Sequence, residues 1–311
     1  MTTAKPEKRH KKDISLAIIG AGMGGILMAI KLKEAGFHNF VILEKGDRVG
    51  GTWRENTYPG LHCDFPSHFY SYSFFHNPNW SHRFSCGPEI RDYFESAAHA
   101  FDVHDSIRFN SKVVDGRWEQ DRWTVTLEGG ETFAVDMLIA ATGYLHVPKF
   151  PDIEGVESFS GAKFHTTQWD HSLALEDKRI GIIGTGSTSV QLVSELAGKV
   201  KKLTVFQRTA QWVLQQDNPA YSDEERRAFA SDPSLLDALY EEMKAEMVLL
   251  ADGAVLGGNA EARAFLVANA EENLARVKDP ELRRKLTPDY EPGCKRLAMS
   301  PNFYEAIQHP T

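Results

Sequence analysis

Two glycine-rich loops constrain the fold of this 311-residue chain more than any other feature of its sequence. One loop spans residues 20–25 and follows the apolar run 14–19; the other spans residues 184–189 and follows the run 179–183. A short apolar run indicates a parallel strand buried on both faces, and a glycine-rich turn from such a strand into a helix is typical of dinucleotide-binding units. The predicted fold class is therefore α/β, with two Rossmann-like dinucleotide-binding domains.

The first loop has the full context that a dinucleotide requires. Gly20 allows the tight turn, Gly22 lets the backbone approach a pyrophosphate, and Gly25 lets the next helix pack closely on the strand. The helix N-terminus is expected to face the phosphates. The following strand, residues 40–43, ends at Glu44, whose carboxylate is predicted to accept hydrogen bonds from ribose hydroxyls.

The second loop departs from the strict pattern, because Ser189 stands where a third glycine is usual. A small residue is tolerated at that packing position. The strand after this loop leads to Arg208, which can pair bidentately with a 2′-phosphate that a carboxylate would repel, so this unit is predicted to bind NADPH. An ordinary surface arginine is the alternative. The predicted cofactor contacts here are Gly184, Gly186, Ser187, Thr188, Ser189, Gln191, Arg208 and Thr209.

The composition argues against nucleic acid and membrane partners. The formal net charge is −8 and the isoelectric point about 5.9, and no apolar stretch reaches the length of a membrane span. The one dense basic run, residues 5–12, lies in a tail (residues 1–13) that is predicted to be disordered. The three cysteines lack metal-ligand spacing, so free thiols in the cytoplasm are expected and no metal site is predicted.

Between the two loops, residues 159–170 read Phe-Ser-Gly-Ala-Lys-Phe-His-Thr-Thr-Gln-Trp-Asp. This stretch resembles the F-x-G-x-x-x-H-x-x-x-W-P/D fingerprint of type I Baeyer–Villiger monooxygenases. Flavin-containing monooxygenases, which are related, usually have Tyr or Phe where this chain has Trp169. The alternative is a loop in which Phe159 and Trp169 anchor the core and His165 is a satisfied buried imidazole.

Two further segments resemble the same family. Residues 58–64 read Y-P-G-L-H-C-D, and the resemblance implies that Asp64 pairs with an active-site arginine beside the flavin. Residues 286–296 match the family's L-T-P-x-Y-x-x-G-C-K-R segment, which implies that Lys295 holds the 2′-phosphate and that Arg296 is that arginine. The alternatives are a turn or helix-cap aspartate and two solvated basic residues.

The resemblance implies FAD in the first unit and NADPH in the second. NADPH would reduce FAD, and the reduced flavin would form a C4a-peroxyflavin with O2 that inserts oxygen next to a ketone carbonyl, giving an ester or lactone. The implied catalytic residues are Arg296, Asp64, His165 and Trp169, and the implied flavin contacts are Gly20, Gly22, Gly25, Glu44, Gly51, Thr52, Trp53, Asp64, Tyr70, Thr142 and Gly143. Two alternatives stay open: a flavin-containing monooxygenase that oxidises N or S atoms, and a fragment that binds FAD and NADPH without turnover.

The domain organisation is expected to follow these motifs. Residues 14–147 are predicted to form the FAD-binding domain and residues 148–311 the NADPH-binding domain, with a helical insertion at about 217–285 that resembles the family's own. Within the first domain, residues 107–109, 113–118 and 123–127 are predicted to be antiparallel strands and residues 136–140 a buried strand. Family members continue further than Thr311, so the chain is expected to be truncated at its C-terminus.

Overall fold

The computed structural model describes residues 10–254 and 258–310. Its contacts divide the chain into two compact units. Unit 1 comprises Met1–Asn56 and Pro88–Val156, and unit 2 comprises Thr57–Gly87 and Glu157–Thr311. Of the predicted basic tail, residues 1–9 lie outside the described residues, whereas Lys11–Asp13 form a 3-10 turn.

Unit 1 is built on a parallel sheet. Its strands are β1 (Leu16–Ile19), β2 (Phe40–Leu43), β3 (Ile107–Arg108), β4 (Val113–Glu119), β5 (Arg122–Leu127), β6 (Thr132–Val135) and β7 (Met137–Ala140), and its helices are α1 (Met23–Glu34), α2 (Thr52–Glu55) and α3 (Gly87–Ala100). The parallel sheet has the order β3-β2-β1-β7, and β4, β5 and β6 form a separate antiparallel sheet.

Strand β1 and helix α1 form because their apolar residues suit the burial of each element: a continuous run in the strand and one face in the helix. Leu16, Ala17 and Ile18 are all buried, as the continuous apolar run predicts for a strand covered on both faces. On α1, the residues Ile26, Ala29 and Ile30 are buried at the i, i+3, i+4 spacing of one helix face. The predicted strand–loop–helix–strand unit at residues 14–43 is confirmed.

The prediction for residues 107–109 was wrong. Strand β3 does not join the antiparallel strands; it pairs in parallel with β2, with Ile107 opposite Ile42. The reason is the connection: the chain reaches β3 through helix α3, and a helical crossover returns the chain in the same direction as the strand it left. The antiparallel pairing of β4 with β5 is confirmed, as is the turn at Gly129 and Gly130, both with positive φ.

Strand β7 pairs in parallel with β1 but is less buried than predicted. Met137 is 47% exposed, and no residue of β7 is fully buried. Among the described strands, β7 has only β1 as a neighbour, so it forms an edge of the sheet and its side chains are covered less completely than those of β1.

Unit 2 combines two small parallel sheets with six helices among its described residues. Its strands are β8 (Arg179–Ile183), β9 (Lys202–Phe206), β10 (Val213–Gln215) and β11 (Ala298–Ser300), and its helices are α4 (Ser187–Leu196), α5 (Asp223–Ser231), α6 (Pro233–Ala254), α7 (Ala260–Ala275), α8 (Pro280–Leu286) and α9 (Phe303–Ala306). Strand β8 pairs with β9, and β10 pairs with β11. The core of this unit includes Val193, Val213 and Tyr304, each fully buried.

The prediction that β8 is a buried strand holds only in part. Ile182 is buried, but Ile183 and its register partner Phe206 on β9 are 60% and 58% exposed. Within the described residues the sheet has only these two strands, so both are edge strands.

The predicted helical insertion consists of α5, α6, α7 and α8. Helix α5 begins with a capping box between Ser222 and Glu225, and side chains of Asn259 and Asp279 cap α7 and α8. The helical spacing predicted at 235–247 and 262–277 is confirmed, although the second helix ends at Ala275; the predicted break at 253–258 falls partly outside the described residues. None of the described helices combines the length and apolarity that a membrane crossing requires.

Candidate cofactor sites and active-site pair

The first glycine-rich loop has no room for side chains at two of its glycines. Gly20 has a φ of +102°, and a Cβ built there would lie 2.7 Å from the carbonyl oxygen of Ala141. A Cβ on Gly25 would lie 1.8 Å from the carbonyl oxygen of Gly20. The strand, the turn and the helix therefore pack backbone against backbone, as the sequence motif predicts.

Gly22 and Gly51 form a backbone cradle in unit 1. A Cβ on Gly22 would lie 3.4 Å from the Cα of Gly51, and a Cβ on Gly51 would lie 3.0 Å from the Cα of Gly22. Gly22 is also the N-cap residue of α1, and no side chain from the described part of the chain caps this helix. Backbone N–H groups at an uncapped helix N-terminus bind anions, so the cradle fits the pyrophosphate of a dinucleotide.

The carboxylate of Glu44 is buried and already holds several donors of the chain. Its Oε2 accepts from the N–H of Ala21 at 2.8 Å, and its Oε1 accepts from the N–H of Gly46 at 2.9 Å and from Nη1 of Arg54 at 2.7 Å. Burial disfavours the charged guanidinium, but the hydrogen bond and the charge of Glu44 outweigh it and raise the pKa of Arg54. Glu44 therefore anchors the loop, and its Oε2 keeps one lone pair for a ribose hydroxyl. The sequence motif did not reveal the contribution of Arg54.

The other predicted flavin contacts of unit 1 lie where strands and turns end. Thr52 and Trp53 open helix α2 directly after Gly51. Thr142 and Gly143 follow β7, and the preceding residue, Ala141, packs against Gly20. In a parallel sheet, ligands bind outside the carboxyl ends of the strands, which is where these residues lie.

The second glycine-rich loop is open. Gly184 has a φ of +115°, and a Cβ on Gly184 or Gly186 would meet no atom of the described residues within 4 Å. Gly186 is the N-cap of α4 and, as in the first loop, none of the side chains within residues 10–254 and 258–310 caps the helix. Ser189 is buried, which agrees with the packing role of the third position, while Ser187 and Thr188 are half-buried. The loop therefore has the space and the N–H donors that a second pyrophosphate needs.

Gln191 is buried, and both ends of its amide are used within unit 2. Its Oε1 accepts from the hydroxyl of Tyr58 at 2.9 Å, and its Nε2 donates to the carbonyl oxygen of His62 at 3.0 Å. Thr188 donates to the same tyrosine hydroxyl at 3.4 Å. The amide thus ties the segment that precedes Asp64 to helix α4. Sequence motifs did not identify this tie.

Two predicted phosphate-binding cations lie after β9 and after α8. Arg208 is exposed and has no hydrogen-bond or ion-pair partner among the described residues. Lys295 places its Nζ 4.2 Å from the ring centroid of Tyr290, whose hydroxyl donates to the carbonyl oxygen of Ala210 at 3.1 Å. Thr209 accepts at its carbonyl oxygen from Thr185 Oγ1 at 3.1 Å. The two segments that carry Arg208 and Lys295 are therefore held side by side.

Asp64 and Arg296 are brought together within unit 2. The Nη2 atom of Arg296 lies 3.9 Å from Oδ2 of Asp64, and the side chains are 64% and 17% exposed. The backbone of each residue is held by a glutamine: Gln216 donates to the carbonyl oxygen of Asp64 at 3.2 Å, and Gln211 donates to that of Arg296. The charges are therefore placed by backbone contacts that do not depend on the ion pair.

Unit 2 contains a cavity of about 560 Å³, and neither Asp64 nor Arg296 is among the described residues that line it. Gln216, which binds the Asp64 carbonyl oxygen, is one of its lining residues. Apolar side chains from α6, α7 and β11 make up much of the wall, and they include Met247, Leu250, Phe265, Leu266 and Met299. A mostly apolar cavity with a few polar groups suits a small organic molecule.

The fingerprint stretch forms a loop in unit 2 with one short 3-10 turn, Thr166–Gln168. His165 caps this turn, because its Nδ1 accepts from the N–H of Thr167 at 3.2 Å. Trp169 packs against the core and lies edge to face with Phe164, with ring centroids 5.2 Å apart. Phe159 is 61% exposed, so the alternative in which it anchors the core is wrong.

Tyr70, a predicted flavin contact, lies in the segment 57–87 of the same unit. Its side chain is half-buried, and its N–H donates to the carbonyl oxygen of Pro66.

The loops, strands and helices of the two units define a protein with two dinucleotide-binding units. The chain belongs to the pyridine nucleotide-disulphide oxidoreductase family, whose model matches residues 17–224. The family name refers to a disulfide, but Cys63, Cys86 and Cys294 are all free thiols in this chain.

The similarity to Baeyer–Villiger monooxygenases is confirmed. An uncharacterised monooxygenase of Mycobacterium tuberculosis is 48% identical over 94% of this chain, and a Baeyer–Villiger monooxygenase of Streptomyces coelicolor is 40% identical over 99% of it. The crystal structure of OTEMO in complex with FAD and NADP superposes with a TM-score of 0.80 at 30% identity, covering 96% of this chain and 65% of that one. The chain spans 59% of the length of each of the two sequence relatives.

Proposed function

We propose that this chain is the FAD- and NADPH-binding part of a Baeyer–Villiger-type monooxygenase, which uses O2 to insert an oxygen atom next to a ketone carbonyl and gives an ester or a lactone. The observation that carries the proposal is the approach of Arg296 to Asp64 at 3.9 Å. The guanidinium of Arg296 is a cation whose charge is compensated by the Asp64 carboxylate. Both residues belong to the unit that also contains the fingerprint loop at residues 159–170.

The cofactor assignment follows from the residues that close each loop. Unit 1 is assigned to FAD, because the Gly22–Gly51 cradle fits a pyrophosphate and the buried Glu44 offers a lone pair to a ribose hydroxyl. Unit 2 is assigned to NADPH, because the open loop at Gly184 is followed by Arg208, which has no partner among the described residues, and by the neighbouring Lys295. Bound FAD, once reduced by NADPH, supplies the electrons and the oxygen activation for the reaction.

Each member of the proposed active site has a distinct task. Arg296 presents positive charge where negative charge develops on oxygen, and Asp64 orients it. Trp169 fixes the fingerprint loop to the core of unit 2, and His165 sets the local turn.

The proposed substrate is a small ketone, and the cavity lined by Gln216 is the proposed place for its apolar part. We also place the protein in the cytoplasm, because its three thiols are free.

The test is anaerobic mixing of the purified chain with NADPH while the visible absorbance of the flavin is followed, then readmission of oxygen with a panel of ketones and sulfides. Bleaching of the flavin followed by ester formation is the expected result. Oxidation of sulfides alone would favour a heteroatom-oxidising monooxygenase. Flavin that never bleaches would show that the NADPH site does not work in this chain, and no bound flavin would overturn the cofactor assignment.

Two variants separate cofactor binding from oxygen insertion. Arg296→Ala and Asp64→Ala are expected to keep NADPH-dependent bleaching and to lose ester formation. Arg179→Ala is the matched control, because Arg179 is an exposed arginine of the same unit without a side-chain partner among the described residues. Ester formation by Arg296→Ala at the rate of the unmodified chain would overturn the assigned role.

A further inference from the structure

We propose that Glu95, His99 and His104 form a binding site for a divalent transition-metal ion of the zinc class in unit 1. Each of the three offers one ligand atom, and these atoms all lie within 4.8 Å of one another. Two imidazole nitrogens and one carboxylate oxygen are a donor set that zinc prefers. None of the three residues belongs to a glycine-rich loop or to the Asp64–Arg296 pair.

The fold creates this cluster from two elements. Glu95 and His99 lie four residues apart on α3, so they project from the same face of the helix, one turn apart. The helix then ends in a reversal: Asp102 has a φ of +51°, and the N–H of Val103 donates to the carbonyl oxygen of Ala98 at 2.9 Å. This reversal brings His104, at the start of the 3-10 turn His104–Ser106, back over the last turn of α3.

The two imidazole rings are in contact. The ring centroids of His99 and His104 are 4.0 Å apart and the ring planes differ by 20°. His99 is exposed, and Glu95 and His104 are half-buried. A tetrahedral zinc ion needs its ligands at about 2.0–2.2 Å, so the exposed His99 ring must rotate out of the stack to bind. Solvent can supply the fourth ligand because the site is open.

The local charges favour a cation. His99 lies in the last turn of α3, where the carbonyl end of the helix carries partial negative charge. Asp105 adds a negative charge nearby, with Oδ1 3.8 Å from Nδ1 of His104, which is too long for a hydrogen bond. Lys33 is a competing cation at this helix end, but its Nζ donates to the carbonyl oxygens of Phe101 and Asp102, not to the three ligands.

A bound ion would join the end of α3 to the start of β3. Strand β3 begins directly after the 3-10 turn and pairs with β2. Strand β2 in turn leads to Glu44, which anchors the first glycine-rich loop. Since an ion that binds only the folded state stabilises it by mass action, zinc should raise the midpoint of thermal unfolding of this chain.

The test is a titration of the untagged chain with zinc by calorimetry, together with thermal unfolding. One zinc ion per chain is the expected result, with affinity reduced at least about tenfold in His99→Ala, His104→Ala and Glu95→Gln. His38→Ala is the matched control, because His38 is an exposed histidine of unit 1 without a side-chain partner among the described residues. Equal zinc binding in the His99→Ala/His104→Ala double variant and in His38→Ala would overturn the proposal.

A second measurement avoids any effect of the variants on folding. The unmodified chain is treated with diethylpyrocarbonate with and without zinc, and labelled histidines are located by mass spectrometry. Zinc should protect His99 and His104 and leave His38 as reactive as before. Labelling of His99 and His104 that does not change with zinc would reject the site.

Discussion

Arg54 donates from Nη1 to Oε1 of Glu44 at 2.7 Å, and the two side chains are only 12% and 4% exposed. Such a pair is costly to break from one side, because the charge that remains is buried without its partner. Glu44 also holds the N–H groups of Ala21 and Gly46, so the pair controls the geometry of the first glycine-rich loop. The stability of this loop and its capacity for a cofactor therefore depend on the same carboxylate.

Arg54→Met is expected to lower the free energy of unfolding by about 3–5 kcal/mol, because it leaves the Glu44 carboxylate buried and short of a donor. Chemical denaturation monitored by circular dichroism measures the loss. The double variant Glu44→Gln/Arg54→Met should lose less than the sum of the two single variants. Additive losses would show that the two side chains act independently.

Gly25→Ala is expected to abolish retention of flavin, because the new Cβ would lie 1.8 Å from the carbonyl oxygen of Gly20. Gly24→Ala is the matched control one residue earlier on α1, since a Cβ there meets no atom within 4 Å. That variant should be stabilised by about 0.5–1 kcal/mol, because alanine is favoured over glycine inside a helix. Absorbance spectra after desalting and thermal unfolding check both outcomes. A loss of flavin in both variants would contradict the packing explanation.

Arg208→Ala is expected to weaken binding of NADPH by about tenfold or more and to leave binding of NADH unchanged, because only NADPH carries the 2′-phosphate. Lys295→Ala should act in the same direction. Dissociation constants of the two coenzymes, measured by fluorescence titration, give the ratio directly. Equal weakening for both coenzymes would show that Arg208 contacts something other than the 2′-phosphate.

His68 is expected to make the stability of unit 2 depend on pH. Its ring is buried between Tyr221 and Phe229, and neither ring nitrogen has a hydrogen-bond partner among the described residues. Burial, with a smaller effect of His76, lowers the pKa of His68 from 6.5 to about 4. In the unfolded chain this histidine is protonated below about pH 6.5, whereas in the folded chain it is protonated only below about pH 4. Lowering the pH through this interval therefore favours the unfolded state and reduces the free energy of unfolding.

The variant His68→Phe should remove this part of the pH dependence, which amounts to at most about 3 kcal/mol. Free energies of unfolding at pH 7 and pH 4.5 for the variant and the unmodified chain measure the difference. His38→Phe, at an exposed position, serves as the control. A pH dependence that is the same in all three proteins would contradict the shifted pKa of His68.

Local sequence patterns predicted the parts of the fold that depend on neighbouring residues. The apolar runs at β1 and β2 and the close packing at Gly20 and Gly25 follow from the sequence alone, since the periods of strand and helix and the small size of glycine determine them. The approach of Asp64 to Arg296 was reached only through resemblance to a family, because no local pattern relates residues so far apart in the chain.

What the sequence could not predict depends on tertiary contacts. The direction of β3 depends on the crossover through α3, and the exposure of Ile183 depends on how many strands flank β8. Gln191 was expected to bind a cofactor, and that role stays a prediction, but its amide is visibly engaged with Tyr58 and His62. The local sequence around a polar helix residue does not determine which distant backbone atom its side chain will bind.

The exposed side chains of Ile183 and Phe206 affect how copies of this chain associate in solution. These register partners present two large apolar side chains to water on adjacent strands, each more than half exposed. The net charge of −8 repels molecules of this chain from one another, but that repulsion acts over the whole surface and is screened by salt. Adhesion at one apolar edge is short-ranged and persists in salt. We therefore expect copies of this chain to associate at the Ile183–Phe206 edge, and we expect that association to grow as the ionic strength rises.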